Sequence, residues 1–123
     1  MTNWDKLQKG ISFVNDHGID VNYKGSASAI GSPFSFNGCA FVDDDIIDLF
    51  ADDPRSESDK VLACLIHEFG HIMDGRLYGG GDDEEDAWKV GVKLFPKWLV
   101  PKCLPAIKKK CLAHYAQIGR AHV

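Results

Sequence analysis

The chain has 123 residues, of which 45% are hydrophobic and 26% are charged, and these values are typical of one soluble globular domain. Its formal net charge of −4 argues against nonspecific nucleic-acid binding, which requires a basic surface. No apolar run approaches the roughly 20 residues of a membrane-spanning helix, and residues 1–6 lack the apolar region of a secretion signal. The sequence therefore predicts a cytoplasmic protein with no membrane partner.

The N-terminal part is predicted to form a helix and then a strand. Apolar residues recur every three or four positions over residues 3–16, which indicates an amphipathic helix, and Gly18 offers its stop. Apolar and polar residues alternate over residues 19–24, as in a half-buried strand. Residues 25–33 are small and polar, so we expect a loop there, long enough to border a cleft.

The next segment is predicted to complete a small, mostly antiparallel sheet. Asn37-Gly38 lies between the apolar runs 34–36 and 39–42, and this dipeptide is the strongest short-range signal for a tight hairpin turn. The acidic triplet at 43–45 does not have the spacing of a calcium-binding loop, and we expect a solvated turn there. Residues 46–50 are predicted to form a further strand.

Three helices are predicted in the second half of the chain. The first begins near Ser56 or Ser58 and ends with Gly75 as its C-cap. After a glycine-rich link, the acidic residues at 82–86 begin the second helix, which runs to about residue 95. Prolines then interrupt the chain, and the last helix covers residues 105–118 and is ended by a glycine.

The first of these helices carries an H-E-x-x-H motif, His67-Glu68-Phe69-Gly70-His71. Residues four apart lie on one face of a helix, so His67 and His71 present two imidazoles to one point. Two neutral imidazoles at this spacing suit a divalent transition metal, zinc above all. Glu68 then occupies the general-base position of a zinc peptidase, where it acts on water and does not bind the metal.

A catalytic zinc site takes three protein ligands, so a third must lie elsewhere in the chain. A metzincin would have glycine three residues after the second histidine and another histidine three residues further on. Asp74 and Leu77 occupy those positions, which excludes that class. A glutamate from a following helix is the other common choice, and residues 82–86 are its obvious source.

Glu84 is the predicted third ligand. It shares the apolar face of its helix with Ala87 and Trp88, whereas Glu85 points more outward. Glu85 stays as an alternative ligand, and two histidines nearer the C-terminus are also open. These are His114 and His122.

The motif and the acidic helix together resemble the ImmA/IrrE family of small gluzincin-like zinc metallopeptidases. That family has H-E-x-[GA]-H, a later helix of the form E-x-E-A-N-x-F-A, and often a closing L-L-x-P. Here Glu84, Asp86 and Ala87 match the later helix, while Trp88 stands where the family usually has asparagine. Val90-Gly91 replaces Phe-Ala, Leu94-Phe95-Pro96 resembles the closing motif, and the resemblance covers roughly residues 40–101.

This resemblance implies an α+β, zincin-like single domain over residues 1–123. Its elements would be an N-terminal helix, a small sheet, the H-E-x-x-H helix, a glutamate helix and a C-terminal helix. It also implies Zn²⁺ bound by His67, His71 and Glu84, and a bacterial, phage or mobile-element protein that cleaves a transcriptional regulator. The acidic charge agrees with a protein or peptide substrate and with no direct contact to nucleic acid.

The main hypothesis is therefore a zinc-dependent hydrolase, a site-specific endopeptidase with Glu68 as its catalytic residue. An edge strand from residues 34–50 would bind the substrate in extended form. Candidates for a second oxyanion donor are Tyr78, His114 and Tyr115. The alternative is a catalytically inactive zincin-fold binding or inhibitor protein, which Trp88 and the short spacing from His71 to Glu84 favour. A non-peptidase zinc hydrolase is a third, less supported hypothesis, and the oligomeric state is left open.

The four cysteines, Cys39, Cys64, Cys103 and Cys111, contain no C-x-x-C pair. This argues against a zinc knuckle or a redox pair, and we expect free thiols in a reducing compartment. Cys64 lies three residues before the first motif histidine, and we expect it to behave as a small buried hydrophobe.

Overall fold

A computed structural model describes the backbone of residues 1–121 and the side chains of residues 1–116. Over this range the chain has the predicted α+β class, with four α-helices and one three-stranded sheet. The elements in chain order are α1 (Asn3–Asn15), β1 (Asp20–Tyr23), a 3₁₀ turn (Ser28–Ile30), β2 (Phe36–Phe41), β3 (Ile46–Ala51), α2 (Ser58–Tyr78), α3 (Glu84–Leu94), a second 3₁₀ turn (Lys97–Leu99) and α4 (Leu104–Ala121). No helix in the described range is long and apolar enough to cross a bilayer.

The sheet is mixed, which corrects the expectation of a mostly antiparallel one. Its strand order is β1-β3-β2, with β3 in the centre. β1 runs parallel to β3, with Val21 opposite Ile47, and β2 runs antiparallel to β3, with Ala40 opposite Ile47. The chain passes from β1 to the far position of the sheet before the β2–β3 hairpin returns it to the centre. This order leaves β2 as an edge strand.

The predicted hairpin turn at Asn37-Gly38 is wrong. Both residues lie inside β2, where Gly38 is paired with Leu49, and the chain reverses at residues 42–45. The acidic triplet supplies this turn, since Asp45 takes a left-handed conformation with φ of 56° that aspartate tolerates better than most residues. Gly38 serves a different purpose, because it lies against a side chain of α2.

α2 is the central element of the fold, and 14 of its 21 residues are buried. It passes through Gly75, which had been predicted as its C-cap, and ends at Gly79, which has a φ of 73°. Its first residue, Ser58, is not an N-cap, because its hydroxyl donates to the carbonyls of Pro54 and Arg55. α4 likewise continues beyond Gly119, the predicted stop, to Ala121.

The contact between α2 and α3 is a direct approach of two backbones. A Cβ atom added at Gly70 would lie 1.8 Å from the carbonyl oxygen of Ala87, and one added at Gly91 would lie 2.2 Å from that of Ile66. A glycine inside a helix costs about 1 kcal/mol relative to alanine, so each position needs a compensating reason. The close crossing is that reason, and it brings the start of α3 beside the motif histidines.

Candidate metal centre

The structure brings the three predicted ligands together. Glu84 Oε2 lies 2.7 Å from Nε2 of His67 and 3.3 Å from Nε2 of His71. The candidate ligand atoms of this cluster all lie within 4.8 Å of one another, so the cluster could hold a metal ion. Glu85 is exposed and is not part of the cluster. His114 is also not part of it, and His122 lies outside the described residues.

Local structure explains why Glu84 reaches this position. It is the first residue of α3, and the N-cap of that helix is Asp83, whose Oδ1 accepts a hydrogen bond from the backbone nitrogen of Asp86 at 2.8 Å. An aspartate N-cap fixes the start of a helix by satisfying a free backbone donor. The close crossing at Gly70 and Gly91 fixes α3 against α2. Glu84 therefore lies on a helix that a second helix holds in place, and not on a loop.

His71 is oriented by the segment between the two helices. Its Nδ1 lies 2.6 Å from the carbonyl oxygen of Gly81, to which a protonated Nδ1 donates. The backbone nitrogen of Gly81 donates in turn to Oδ2 of the buried Asp74 at 3.0 Å. Metal-binding histidines usually donate their second ring nitrogen to such an acceptor, which leaves the other nitrogen free for the metal. His71 thus has the support expected of a ligand.

His67 is held differently. Its Nε2 is buried and makes no hydrogen bond, because the nearby Glu84 oxygen lies outside the direction that a ring N–H would need. Trp88 stacks on its ring, with centroids 4.3 Å apart and planes inclined by 9°. A buried imidazole nitrogen without a hydrogen bond, facing a carboxylate and a second imidazole, fits a metal ligand. Two imidazoles and one carboxylate are also a donor set that zinc takes in catalytic sites.

The same groups strongly perturb one another's protonation. Burial lowers the pKa of His67, but the adjacent carboxylates of Glu68 and Glu84 outweigh it and raise that pKa to about 9. Close contact with the imidazoles of His67 and His71, at 2.7 Å and 3.3 Å, lowers the pKa of Glu84 to about 2. The pKa of His71 is also raised, since Glu84 and Glu68 together outweigh its burial. Protons and a metal ion would therefore compete for the same atoms.

Glu68 lies between these groups and the edge strand β2. Its side chain is buried, and Oε1 lies 3.2 Å from Nδ1 of His67. A Cβ atom added at Gly38 would lie 2.9 Å from Cγ of Glu68, so the strand contacts this side chain closely only because glycine occupies that position. This proximity puts the carboxylate beside the cluster and also beside the free edge of the sheet.

A cleft follows β2 across the cluster. On the α4 side it contains a cavity of about 240 Å³ whose walls include Phe34, Phe36 and Tyr115. On the other side lies a cavity of about 320 Å³ at the far end of β2, and both cavities are lined by Gly38, Glu68 and Glu84. The first cavity is also lined by His67 and the second by His71, so residues of the cluster face both cavities.

The three candidate oxyanion donors do not all lie in the cleft. His114 and Tyr115 line the cavity on the α4 side together with Glu68. Tyr78 is 64% exposed and lies on a separate surface with Asp86 and other residues of α3. Of the three candidates, only the two on α4 face the cluster's cleft.

The four cysteines are free thiols in the described structure. Cys64 is buried as predicted, and its burial raises the pKa of its thiol well above the ordinary value. Cys64 and Cys111 both line the cavity on the α4 side of the cluster. The sequence did not indicate that Cys111 would reach this cavity, because the contact depends on how α4 packs.

Comparison of the chain with protein-family models, with curated proteins and with solved structures gave no match. The similarity to the ImmA/IrrE family rests on the residues quoted above and stays a prediction.

Proposed function

We propose that this protein is a zinc-dependent metallopeptidase that cleaves a protein substrate at a specific internal site. The observation that carries the proposal is the convergence of two imidazoles and one carboxylate beside Glu68, in a cleft that follows an edge strand. Each part has a role in hydrolysis of a peptide bond, and all of them lie within one groove. The H-E-x-x-H spacing supports the same chemistry.

His67, His71 and Glu84 would hold the metal. Their donor set and the buried Nε2 of His67, which makes no hydrogen bond, are the features that fit zinc. When bound there, zinc supplies a Lewis acid that polarises a carbonyl group and makes water more acidic. The carboxylate of Glu84 would also offset part of the metal's charge in this partly buried site.

Glu68 would be the general base. It would accept a proton from the attacking water and deliver that proton to the leaving amine. The free edge of β2 offers backbone hydrogen-bonding groups to an extended peptide, which would align the scissile bond with the cluster. His114 and Tyr115 are the candidates to donate a hydrogen bond to the oxyanion that develops on the carbonyl.

The cavity on the α4 side would accept an apolar side chain of the substrate. An apolar cavity of about 150 Å³ can hold benzene, so a cavity of about 240 Å³ has room for a leucine or phenylalanine side chain. Its aromatic walls match such a group in character. A regulatory protein cut at an apolar residue would fit this site, and the kind of protein is suggested only by resemblance to ImmA/IrrE peptidases.

The first test is the metal content of the purified protein after zinc is supplied. We expect stoichiometric zinc in the wild type and in Glu85→Ala, and loss of zinc in Glu84→Ala. Glu85 is the matched control because it is the neighbouring glutamate in the same helical turn but is exposed. A wild-type protein that takes up no zinc would rule out the peptidase.

The second test separates metal binding from catalysis. Glu68→Gln should keep zinc, because Glu68 is not among the proposed ligands, and should lose cleavage of a peptide library by at least about 100-fold. Cleavage by Glu68→Gln at the wild-type rate would sink the mechanism. The products are read by mass spectrometry, which also reports the residues on either side of each cut.

A second candidate function is a zincin-fold protein that binds or inhibits a partner without cleaving it, as a phage or mobile element could encode. The observation that favours it is the large Trp88 packed on His67, where the resembled family usually has asparagine. The expected result is then stoichiometric zinc in a wild-type protein that cleaves no peptide of the library.

A further inference from the structure

Trp88 lies beside the candidate metal ligands and is buried in an unusual way. Trp88 is only 1% exposed, and one face of its indole covers the ring of His67. Its Nε1 is buried and has no hydrogen-bond partner among the described residues. A smaller apolar residue could fill the core without burying an unpaired donor, so core packing alone does not explain an indole here.

The two motif histidines differ in what orients them. His71 has a hydrogen bond from Nδ1 to a backbone carbonyl at 2.6 Å. Among the described residues, Nδ1 of His67 has no such bond to a backbone carbonyl and lies 3.2 Å from the carboxylate of Glu68, which is the proposed general base. A base that also had to hold the ring would be less free to take a proton from water. Some other group must therefore fix the plane of the His67 ring.

We infer that Trp88 is a positioning residue for the metal site, which holds His67 by face-to-face stacking in place of a hydrogen bond. The inference rests on the metal-binding part of the proposed function and does not depend on peptide cleavage. A planar ring that covers the imidazole restricts rotation about the bond to that ring. It also leaves Glu68 free for proton transfer.

Stacking also favours the metal-bound imidazole over the neutral, metal-free ring. A metal ion withdraws electron density from its ligand, so the ring becomes more positive. The indole face is the most electron-rich aromatic surface among side chains and attracts positive charge. This attraction requires an aromatic face, which phenylalanine keeps and leucine lacks.

The test compares Trp88→Phe with Trp88→Leu. Both variants remove the indole and its unpaired donor, and both shrink the side chain, so their metal-free forms should lose stability to a similar extent. Zinc affinity, measured by competition with a chromogenic chelator at a pH where the metal-free imidazole is neutral, should stay within about threefold of wild type in Trp88→Phe. It should fall about tenfold or more in Trp88→Leu. Thermal unfolding with and without a chelator reports the stability of each form.

Equal zinc affinities in the two variants would overturn the inference and leave Trp88 as a core residue. A wild-type protein without zinc would contradict the metal site itself. These two outcomes separate the failure of this inference from the failure of the proposed metal site.

A second measurement uses the wild-type protein and needs no variant that might fail to fold. The chain has three tryptophans, and the other two, Trp4 and Trp98, are not among the residues that line the cluster's cleft. In ¹⁵N-resolved spectra, titration with zinc should shift the indole N–H signal of Trp88 and leave the other two in place. If zinc binds and the indole signal of Trp88 does not shift, the stacking of Trp88 on His67 does not support the metal site.

Discussion

The central helix α2 meets two neighbours in opposite ways. Against α3 the contact is backbone to backbone, with Gly70 facing Ala87 and Gly91 facing Ile66. Against β2 the contact at Gly38 is with the side chain of Glu68, which can rotate. One interface has no room to adjust, and the other has a flexible side chain within it.

This difference agrees with the proposed roles of the two interfaces, metal binding at the first and proton transfer at the second. Glu84 reaches the cluster across the rigid interface, so the separation of the metal ligands is fixed by backbone geometry. Glu68 lies at the adjustable interface, next to the edge strand on which a substrate would bind. Metal ligands must be held at fixed distances from one another, whereas the carboxylate of a general base must adjust its orientation when the substrate binds. Variants at the two interfaces should therefore have different effects on stability, zinc binding and cleavage.

The largest effect is expected from Gly70→Ala. Its Cβ atom would lie 1.8 Å from the Ala87 carbonyl oxygen, and neither backbone can move without separating the two helices. We expect the free energy of unfolding to fall by about 3 kcal/mol or more. Zinc affinity should fall as well, because α3 carries Glu84. Urea denaturation with a chelator present and zinc titration measure the two effects.

Gly10→Ala is the matched control for this variant. A Cβ atom there would lie 2.7 Å from a methyl carbon of Leu62, at the end of a flexible side chain. Better helix propensity offsets part of the clash, so the change in stability should stay within about 1 kcal/mol. Similar losses in the two variants would mean that the α2–α3 crossing is not the rigid interface described here.

The next effect is the pH dependence of zinc binding. Burial disfavours a charged His67, but Glu68 and Glu84 outweigh it and raise its pKa to about 9, so at pH 7 the metal must displace a proton from this ring. Glu84 has a pKa of about 2 and is already ionised. Zinc affinity should therefore rise at least about tenfold per pH unit above pH 7, since the raised pKa of His71 adds to the effect of His67, and should level off above about pH 9. Chelator competition across this range measures it, and a flat profile would contradict the proton count.

The stability of the metal-free protein should change in the opposite direction over the same range. A raised histidine pKa stabilises the folded state fully below the unfolded value of 6.5, and this contribution is lost as the pH rises through about 9. The metal-free protein should thus unfold more easily at pH 9 than at pH 6. The zinc-bound protein should lack this trend, because the metal takes the place of the proton.

The sequence was sufficient for features that depend on local periodicity. The two histidines face one point because helical spacing puts them there, and Glu84 rather than Glu85 turns inward for the same reason. These predictions needed no knowledge of which elements pack together.

Features that depend on long-range contacts were not predictable. Asn37-Gly38 has the local signature of a turn, but Gly38 lies inside β2, where its missing side chain leaves room for Glu68. Gly75 has the signature of a helix end, but a Cβ there would lie 2.9 Å from a methyl carbon of Val42, so the glycine serves packing and α2 continues. The stacking of Trp88 on His67 likewise depends on the α2–α3 crossing.

The smallest effect is expected at the adjustable interface, from Gly38→Ala. The new methyl group would lie 2.9 Å from Cγ of Glu68, and rotation of that side chain relieves the clash. Stability should change by less than about 1 kcal/mol and zinc affinity should be unchanged, since no ligand moves. Cleavage of a peptide substrate should slow by about tenfold, because the displaced carboxylate is poorly placed to take a proton.

Gly10→Ala again serves as the control, because it adds the same methyl group at a comparable distance from a flexible side chain, and none of the residues that it would meet belongs to the cluster. It should cleave the peptide at the wild-type rate. If Gly38→Ala also cleaves at that rate while binding zinc normally, the contact with β2 does not position Glu68. The interface would then be ordinary packing, and the orientation of the carboxylate would have to come from His67 alone, whose Nδ1 lies 3.2 Å from Oε1.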